Sequence, residues 1–335
     1  MNWRAKALAH GILSRVSGGH HLTYLLQTRV TQTLPVSDAV LRRNVLFALE
    51  HLSAFRRHSS QRIEDAAFYE FGAGYDLSIP LFYSAAGVKH QLVVDIARLV
   101  RPRLVLDASE RIRAFGPDGR YDRIADLARR ASRTGLLPAL TVVCGIDYRA
   151  PFDARATGLP AASIDYISCT NVLAQIPCAQ LPAILAECRR ILRPEGLMRV
   201  LIDYRDIYSY FDKRLSVYNF LRYSDTVWRL YNSASHYQNR LRHCDFRRLF
   251  QSAGFVVVAD DPGYDENAPM QILRSIPLAD KFKAYSYDEL APVRGTFLLS
   301  ARSPGRPLMN GRSSPTTHGR GESPVGDQRR IELWR

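Results

Sequence analysis

The chain has 335 residues, 46% of them hydrophobic and 23% charged, a length for about two domains or one α/β domain with additions. That composition excludes a collagen-like or wholly disordered chain. Lys and Arg outnumber Asp and Glu by 46 to 32, a net charge of +14. Such a balance favours anionic partners such as nucleic acid, a phosphorylated substrate or an acidic membrane surface, but no block of five or six like charges is present, and a solvated basic surface explains it better.

No run of 18 apolar residues occurs, which argues against a spanning helix, although peripheral contact with a membrane stays open. The first 35 residues lack the compact apolar stretch and cleavage site of a secretory signal. Five cysteines, at 144, 169, 178, 188 and 244, form no CxxC pair. The odd count argues against a disulfide framework or a zinc site and for a reducing cytoplasm, with the cysteines as small buried hydrophobes.

Residues 1–33 are basic with short apolar patches and read as part of an N-terminal helical extension, 1–62. Within it, Ser37 and Asp38 suit an N-cap and first turn. Leu41, Val45, Ala48, Leu52 and Phe55 follow at helical spacing on one apolar face. The centre alternates. Ala66–Phe71 reads as a strand, Leu77–Ala86 as a helix, Gln91–Val94 as a strand, and 96–135 as a basic helical region. Either Leu140–Val143 or Ile146–Tyr148 supplies the third strand. Ile164–Cys169 is the fourth, Leu181–Leu192 a helix stopped by Pro194-Glu195-Gly196, and Leu197–Ile202 the fifth strand. Val256–Ala259 and Thr296–Ser300 supply late strands. This alternation predicts an α/β fold with a mostly parallel sheet and helices on both faces, spanning 63–302.

Residues 204–250 interrupt the pattern with a helical insert holding ten aromatics between Tyr204 and Tyr237. Most of these are expected to fill the core of a small cap, with a few facing an acceptor. From Ser303 to Arg335 there are five Gly, four Pro and four Ser with few apolar residues. Such a segment buries too little surface to offset its ordering entropy and is expected to be a disordered tail.

The chemistry is concentrated at Glu70-Phe71-Gly72-Ala73-Gly74, on a strand-to-helix junction where glycines let the backbone turn sharply and approach a ligand. Asp95 lies 21 residues beyond Gly74, at the end of the next strand, where a carboxylate can accept both hydroxyls of a ribose; Ile96 follows it. A dinucleotide fingerprint requires a third glycine where this chain has Leu77. Asp76, at the helix N-terminus, would compete with a pyrophosphate for the helix dipole. With Glu70 adding negative charge, a cationic sulfonium with an amino-acid tail fits better, and S-adenosylmethionine (SAM) is such a cofactor.

Over roughly 66–302 the sequence resembles the class I SAM-dependent methyltransferases. Glu70–Gly74 is similar to the family's E/DxGxG loop, and Asp95 to its ribose-binding acid. Phe152-Asp153-Ala154 with Leu159-Pro160 is similar to the adenine-side DAxxLP segment, with one extra residue before Leu159. Ser163–Ile167 and Asn171–Pro177 resemble the fourth strand and the loop after it, and Arg189–Gly196 the family's RxLxPGG helix end. The resemblance implies a Rossmann-like, seven-stranded sheet and a cofactor site of Glu70, Gly72, Ala73, Gly74, Asp95, Ile96, Asp153, Ala154 and Asn171. Asp203–Arg242 resembles a bacterial subgroup in which a His follows the second Asp; here Ile207 stands there.

Methyl transfer is an in-line displacement for which the protein mainly aligns donor and nucleophile. Asp206, Tyr208 and His236 are candidate bases for a hydroxyl nucleophile, because they follow the fifth strand or lie in the insert. Arg240 and Arg242 are candidates to hold an anionic group of the acceptor. Each has a plainer reading: a helix cap for Asp206, a pocket wall for Tyr208, a core residue for His236, solvated charge for the arginines. The expected acceptor is a small molecule or glycan. A nicotinamide-dependent oxidoreductase is disfavoured by the missing third glycine. A nucleic-acid methyltransferase is disfavoured because Cys169-Thr170-Asn171-Val172 stands where base-amine methylases carry an Asp/Asn-Pro-Pro-aromatic run. Intact glycines and acids argue against a non-enzymatic relic of the fold. Pro177-Cys178 is expected to begin a helix rather than supply a nucleophile.

Overall fold

The computed structural model describes residues 3, 4, 7, 24, 28, 33–115, 121–233 and 237–302. The segment 303–335, expected above to be a tail, lies outside the described residues, as does His236.

Helix α1 (Asp38–His58) begins where Ser37 Oγ accepts from the Val40 amide at 3.4 Å. Asp38 in its first turn and Arg56, Arg57 and His58 in its last oppose the helix dipole at each end. It buries Leu41, Val45, Ala48, Leu52 and Phe55, the expected stripe, and also His51.

The central elements follow the expected order. They are β1 (Ala67–Phe71), α2 (Ser78–Ala85), β2 (His90–Val94), α3 (Pro102–Phe115), α4 (Leu127–Thr134), α5 (Leu136–Ala139), β3 (Ile146–Arg149), β4 (Ile164–Thr170), α6 (Leu181–Ile191) and β5 (Leu192–Asp203). After the insert, which contains α7 (Asp225–Tyr231) and α8 (His243–Ser252), come β6 (Val256–Gly263) and β7 (Arg294–Ser300). The seven strands lie in the order β3-β2-β1-β4-β5-β7-β6. β7 is antiparallel to both neighbours, and the other pairings are parallel. Among the described residues no helix is long and apolar enough to cross a membrane.

One face of the sheet packs against α1, α2 and α3, with Phe55 of α1 set edge-on to Tyr166 of β4 and against Phe68 of β1. The other face, carrying Tyr69, Ile167, Met198 and Val200, packs against α6 and α8. The insert has its own core, in which Tyr208, Tyr218, Phe220 and Trp228 cluster with Phe282 from between β6 and β7 and with Trp3 from the N-terminal segment. Trp3 lies 4.9 Å from Tyr231 and 5.2 Å from Tyr208, ring to ring. Among its described residues the insert is less helical than expected: α7, α8 and two short 3-10 turns, Ile207–Tyr210 and Asn219–Arg222, carry its order.

Two strand boundaries differ for physical reasons. Leu140–Val143 is not a strand. The backbone continues from α5 as a helical turn that buries Leu140 and Cys144 and exposes Val142, a helical rather than alternating pattern. β3 is therefore the second alternative, starting at Ile146. β5 begins at Leu192, before the predicted helix stop. Leu192 pairs with Ile164 and Leu197 with Tyr166, so Arg193–Gly196 is accommodated as a bulge. Arg193 Nη1 bonds Asp165 Oδ1 at 2.6 Å, and Asp165 Oδ2 accepts from the Ala67 amide at 2.8 Å.

Gly145 (φ +67°) makes the turn into β3, and a methyl group there would overlap the Lys89 carbonyl. Gly145→Ala therefore combines left-handed strain with a backbone clash, at about 2–4 kcal/mol. Thermal unfolding should show a clear drop in Tm; a change within error would mean that the α2–β2 loop yields freely.

Candidate functional site

Parallel pairing aligns β1 with β2 from Ala67↔His90 to Phe71↔Val94, so both strands end at one edge of the sheet. The loop leaving β1 is held there by the Gly72 amide donating to the Val94 carbonyl at 2.9 Å. Gly72 (φ +81°) also lies against Val172 of the loop after β4, and a side chain in its place would overlap Val172 Cγ2. Gly74 (φ +70°) faces open space instead, with nothing within 4 Å of where a Cβ would stand. One glycine is required by packing, and the other leaves room for a ligand to approach the backbone.

The Gly74 amide points at Asp95 Oδ2, 3.3 Å away, and Asp95 Oδ1 accepts from the Ala97 amide at 3.1 Å. Glycine loop and acid thus sit side by side, as their spacing predicted. Ile96 is 69% exposed beside them. The Phe152 amide donates to the Asp95 carbonyl at 2.9 Å, which brings Phe152-Asp153-Ala154 to the same rim. Asp153 Oδ2 pairs with Arg155 Nη2 at 2.6 Å, and that hydrogen bond holds its carboxyl below the usual range. Asn171, left-handed at φ +60°, turns the chain out of β4, its amide bonded to the Leu201 carbonyl at 2.8 Å. At the third-glycine position Leu77 is fully buried at φ +54°, and Asp76 Oδ1 accepts from the Ser78 amide at 3.0 Å, occupying the start of α2. A pyrophosphate has no vacant helix N-terminus here.

Glu70, at the end of β1, is buried and accepts from Ser168 Oγ at 2.7 Å. Burial raises its carboxyl pKa to about 7, against the Ser168 bond. A ligand cation at this point would favour the carboxylate.

The insert places its candidate residues differently from expectation. Asp206 is fully buried, and its oxygens accept from the Tyr208 amide at 2.8 Å and Asn219 Nδ2 at 2.8 Å. It caps the Ile207–Tyr210 turn, and the expectation that it serves as a base is corrected. Tyr208 is buried beside Trp3 and Trp228 and donates its hydroxyl to the Tyr231 carbonyl, so it is core. Arg240 donates to the Phe220 carbonyl at 2.9 Å and the Tyr223 carbonyl at 2.6 Å and pairs with Asp225. Arg242 donates to the carbonyls of Tyr204 (3.0 Å), Leu290 (2.7 Å) and Pro292. Both guanidinium groups are buried struts of the cap, which corrects their assignment to an acceptor's anion. The aromatics that do face outward are Tyr210 and Phe211, 40% and 45% exposed. Tyr210 donates to Asp203 at the end of β5, and Arg205 Nε bonds the same carboxylate at 3.0 Å. This Asp203–Arg205–Tyr210 group escaped the sequence reading, although Asp203 ending a strand was a signal for it. Cys178 begins a short 3-10 turn, and burial raises its thiol pKa, contrary to what a nucleophile needs.

Residues 114–200 match the family model described as a methyltransferase domain. The match spans the segment from the end of α3 into β5; the glycine loop and Asp95 lie upstream of it. No curated protein matches. Similar solved structures include the geranyl diphosphate C-methyltransferase from Streptomyces coelicolor A3(2) in complex with Mg2+, geranyl diphosphate and S-adenosyl-L-homocysteine. It has 12% identity and a TM-score of 0.43, over 86% of this chain and 85% of that one. The CurJ carbon methyltransferase has 14% identity and a TM-score of 0.44 over 85% and 60%. The PH0226 protein from Pyrococcus horikoshii OT3 has 11% and 0.45 over 83% and 98%.

The two buried charges make separate predictions. Unfolded, Glu70 loses its proton near 4.5; folded, it holds it to about 7. Folding is therefore coupled to proton uptake, and the stability tied to Glu70 falls as pH rises from about 4.5 to about 7 and then levels off. Urea unfolding of Glu70→Gln should lack this fall, and parallel pH profiles for the two proteins would refute it. Arg242→Met strands three buried carbonyls and should cost about 3 kcal/mol or more. A variant with unchanged Tm would return Arg242 to the acceptor site.

Proposed function

We propose that this chain is a class I SAM-dependent methyltransferase that methylates a hydroxyl or similar nucleophile of a small-molecule or glycan-type acceptor, a reading that the match of residues 114–200 to a methyltransferase-domain model supports. The observation that carries the reading is the Gly74 amide set against the Asp95 carboxylate, with open space in front of Gly74. SAM, when bound, supplies a methyl group already activated on a sulfonium. The remaining work is alignment, which contributes ~7–11 kcal/mol in well-oriented systems.

The residues fit that ligand. Asp95 takes the ribose hydroxyls, Gly72, Ala73 and Gly74 let the backbone approach, and Ile96 and Ala154 offer apolar contact to the adenine. Asp153 accepts from the adenine amino group in competition with Arg155. Glu70 faces the amino-acid end, where an ammonium meets a buried carboxylate. Asn171 borders the methyl group. We assign residues 63–302 to the transferase domain and 204–250 to its acceptor cap. The acceptor approaches over the carboxyl ends of β4 and β5, between Thr170, Asp203 and the outward rings of Tyr210 and Phe211. These groups suit a hydroxylated molecule with some apolar or ring surface. The buried free thiols of Cys144, Cys169 and Cys188 support a reducing, cytoplasmic setting.

Asp95→Ala removes charged hydrogen bonds to the ribose and should weaken SAM binding by ~1.5–3 kcal/mol, with some loss of Tm because the Gly74 and Ala97 amides lose their acceptor. Calorimetry with SAM, S-adenosylhomocysteine and NAD checks this. Tight binding of NAD with none of SAM would overturn the assignment, and product mass with candidate acceptors tests the acceptor class.

A further inference from the structure

Beneath the end of β4, α1 buries a polar chain to which cofactor binding gives no role. His51 is fully buried against the sheet, with Nδ1 3.0 Å from the Tyr166 hydroxyl and Nε2 3.0 Å from Thr170 Oγ1. The Tyr166 hydroxyl also donates to the backbone carbonyl of His51 at 3.0 Å. A carbonyl only accepts, so the single Tyr166 proton is committed to it. The Tyr166 oxygen must then accept from His51, which puts the imidazole proton on Nδ1. Nε2 keeps its lone pair, and Thr170 is the donor to it. A hydroxyl bonded to a base that a third group locks in one tautomer is an activated hydroxyl.

Thr170 is the last residue of β4 and half-buried, whereas His51 is sealed behind it. The charged and titratable groups around His51 come from α1 itself and from four elements packed against it. Arg199 of β5 pairs with Glu50 of α1 at 2.8 Å. The Tyr83 ring of α2 stands 6.2 Å from the imidazole, Tyr166 of β4 bonds it, and Glu70 of β1 bonds Ser168. Burial, aided by Arg199, holds the imidazole pKa well below its ordinary value, so Nε2 is unprotonated throughout the neutral range.

Resting on the methyl-transfer reading above, we propose that Thr170 and His51 form a proton relay for a hydroxyl-bearing acceptor. Thr170 Oγ1 meets the acceptor hydroxyl, and His51 acts through it. As the acceptor oxygen bonds the methyl carbon and the carbon–sulfur bond breaks, the acceptor proton passes to Thr170 Oγ1. Thr170's own proton passes to His51 Nε2. The sulfonium charge disappears as the imidazolium charge forms, so the net charge of the pocket is constant. That balance offsets the cost of a cation near Arg199. After product leaves, the proton returns to solvent through Thr170.

The test needs no acceptor. Thr170→Cys puts a thiol against Nε2, and iodoacetamide labelling at varied pH, read peptide by peptide in the full chain, gives its apparent pKa. A relay predicts that the introduced thiol is labelled and titrates at least one pH unit, tenfold in proton affinity, below the ~8.5 of a free thiol. Adding His51→Gln should abolish that shift. An introduced thiol that stays unlabelled, or that titrates alike with and without His51, overturns the relay. Should His51→Gln not fold, nitrogen-15 shifts of the wild-type imidazole decide: a proton on Nδ1 supports the relay and one on Nε2 overturns it. SAM calorimetry on the wild-type chain separates the readings. Loss of SAM binding there fails the methyltransferase assignment, whereas intact binding with a His51-independent thiol in the Thr170→Cys variant fails the relay alone.

Discussion

Everything at the site depends on the parallel pairing of β1 with both β2 and β4. Because Phe71 pairs with Val94 and Glu70 with Ser168, three strands end at one level, and the loops that leave them meet. That is the topological switch point of an open α/β sheet, where strand order reverses and adjacent loops part to form a crevice. A slip of one residue in either pairing would turn Glu70 and Ser168 to the opposite face. It would also separate the Gly74 amide from Asp95.

The face of the sheet under α1 is unusually polar for a core. Glu70, Tyr83, Tyr166, Ser168, Arg199 and His51 are all buried there, and buried polar groups are costly unless paired. The structure pairs most of them, Ser168 to Glu70, Glu50 to Arg199, and Tyr166 and Thr170 to His51, and among the described residues leaves the Tyr83 hydroxyl and Arg199 Nη1 without a partner. Placed directly behind the ends of β1 and β4, this layer links the N-terminal helix to the chemistry. The α1 part of the expected N-terminal extension is thus an integral wall of the sheet's core.

The cap uses charge in the opposite sense. Arg240 and Arg242 bond backbone carbonyls in short helical turns and just beyond them, namely Phe220, Tyr223, Leu290 and Pro292. Irregular backbone has no ladder to satisfy its carbonyls when buried, and a guanidinium with five donors serves several at once. The insert therefore holds its shape with few helical turns, leaving Tyr210 and Phe211 to face outward.

The sequence alone determined the α/β alternation, the α1 stripe, the glycine loop and Asp95, because each rests on local periodicity or on a spacing that the βαβ unit carries from strand to strand. It also pointed to Leu77 and Asp76 as obstacles to a pyrophosphate, since both act within one turn of the loop. Only the tertiary structure decided which nearby polar residues face the crevice. Asp206, Arg240 and Arg242 have the composition of site residues, and whether their charge meets solvent, substrate or a carbonyl depends on segments up to 50 residues away. His51 sits on an apolar helical face with nothing local to mark it. Its partners, Tyr166 and Thr170, lie 115 and 119 residues along the chain, a separation that only the docking of α1 on the sheet closes.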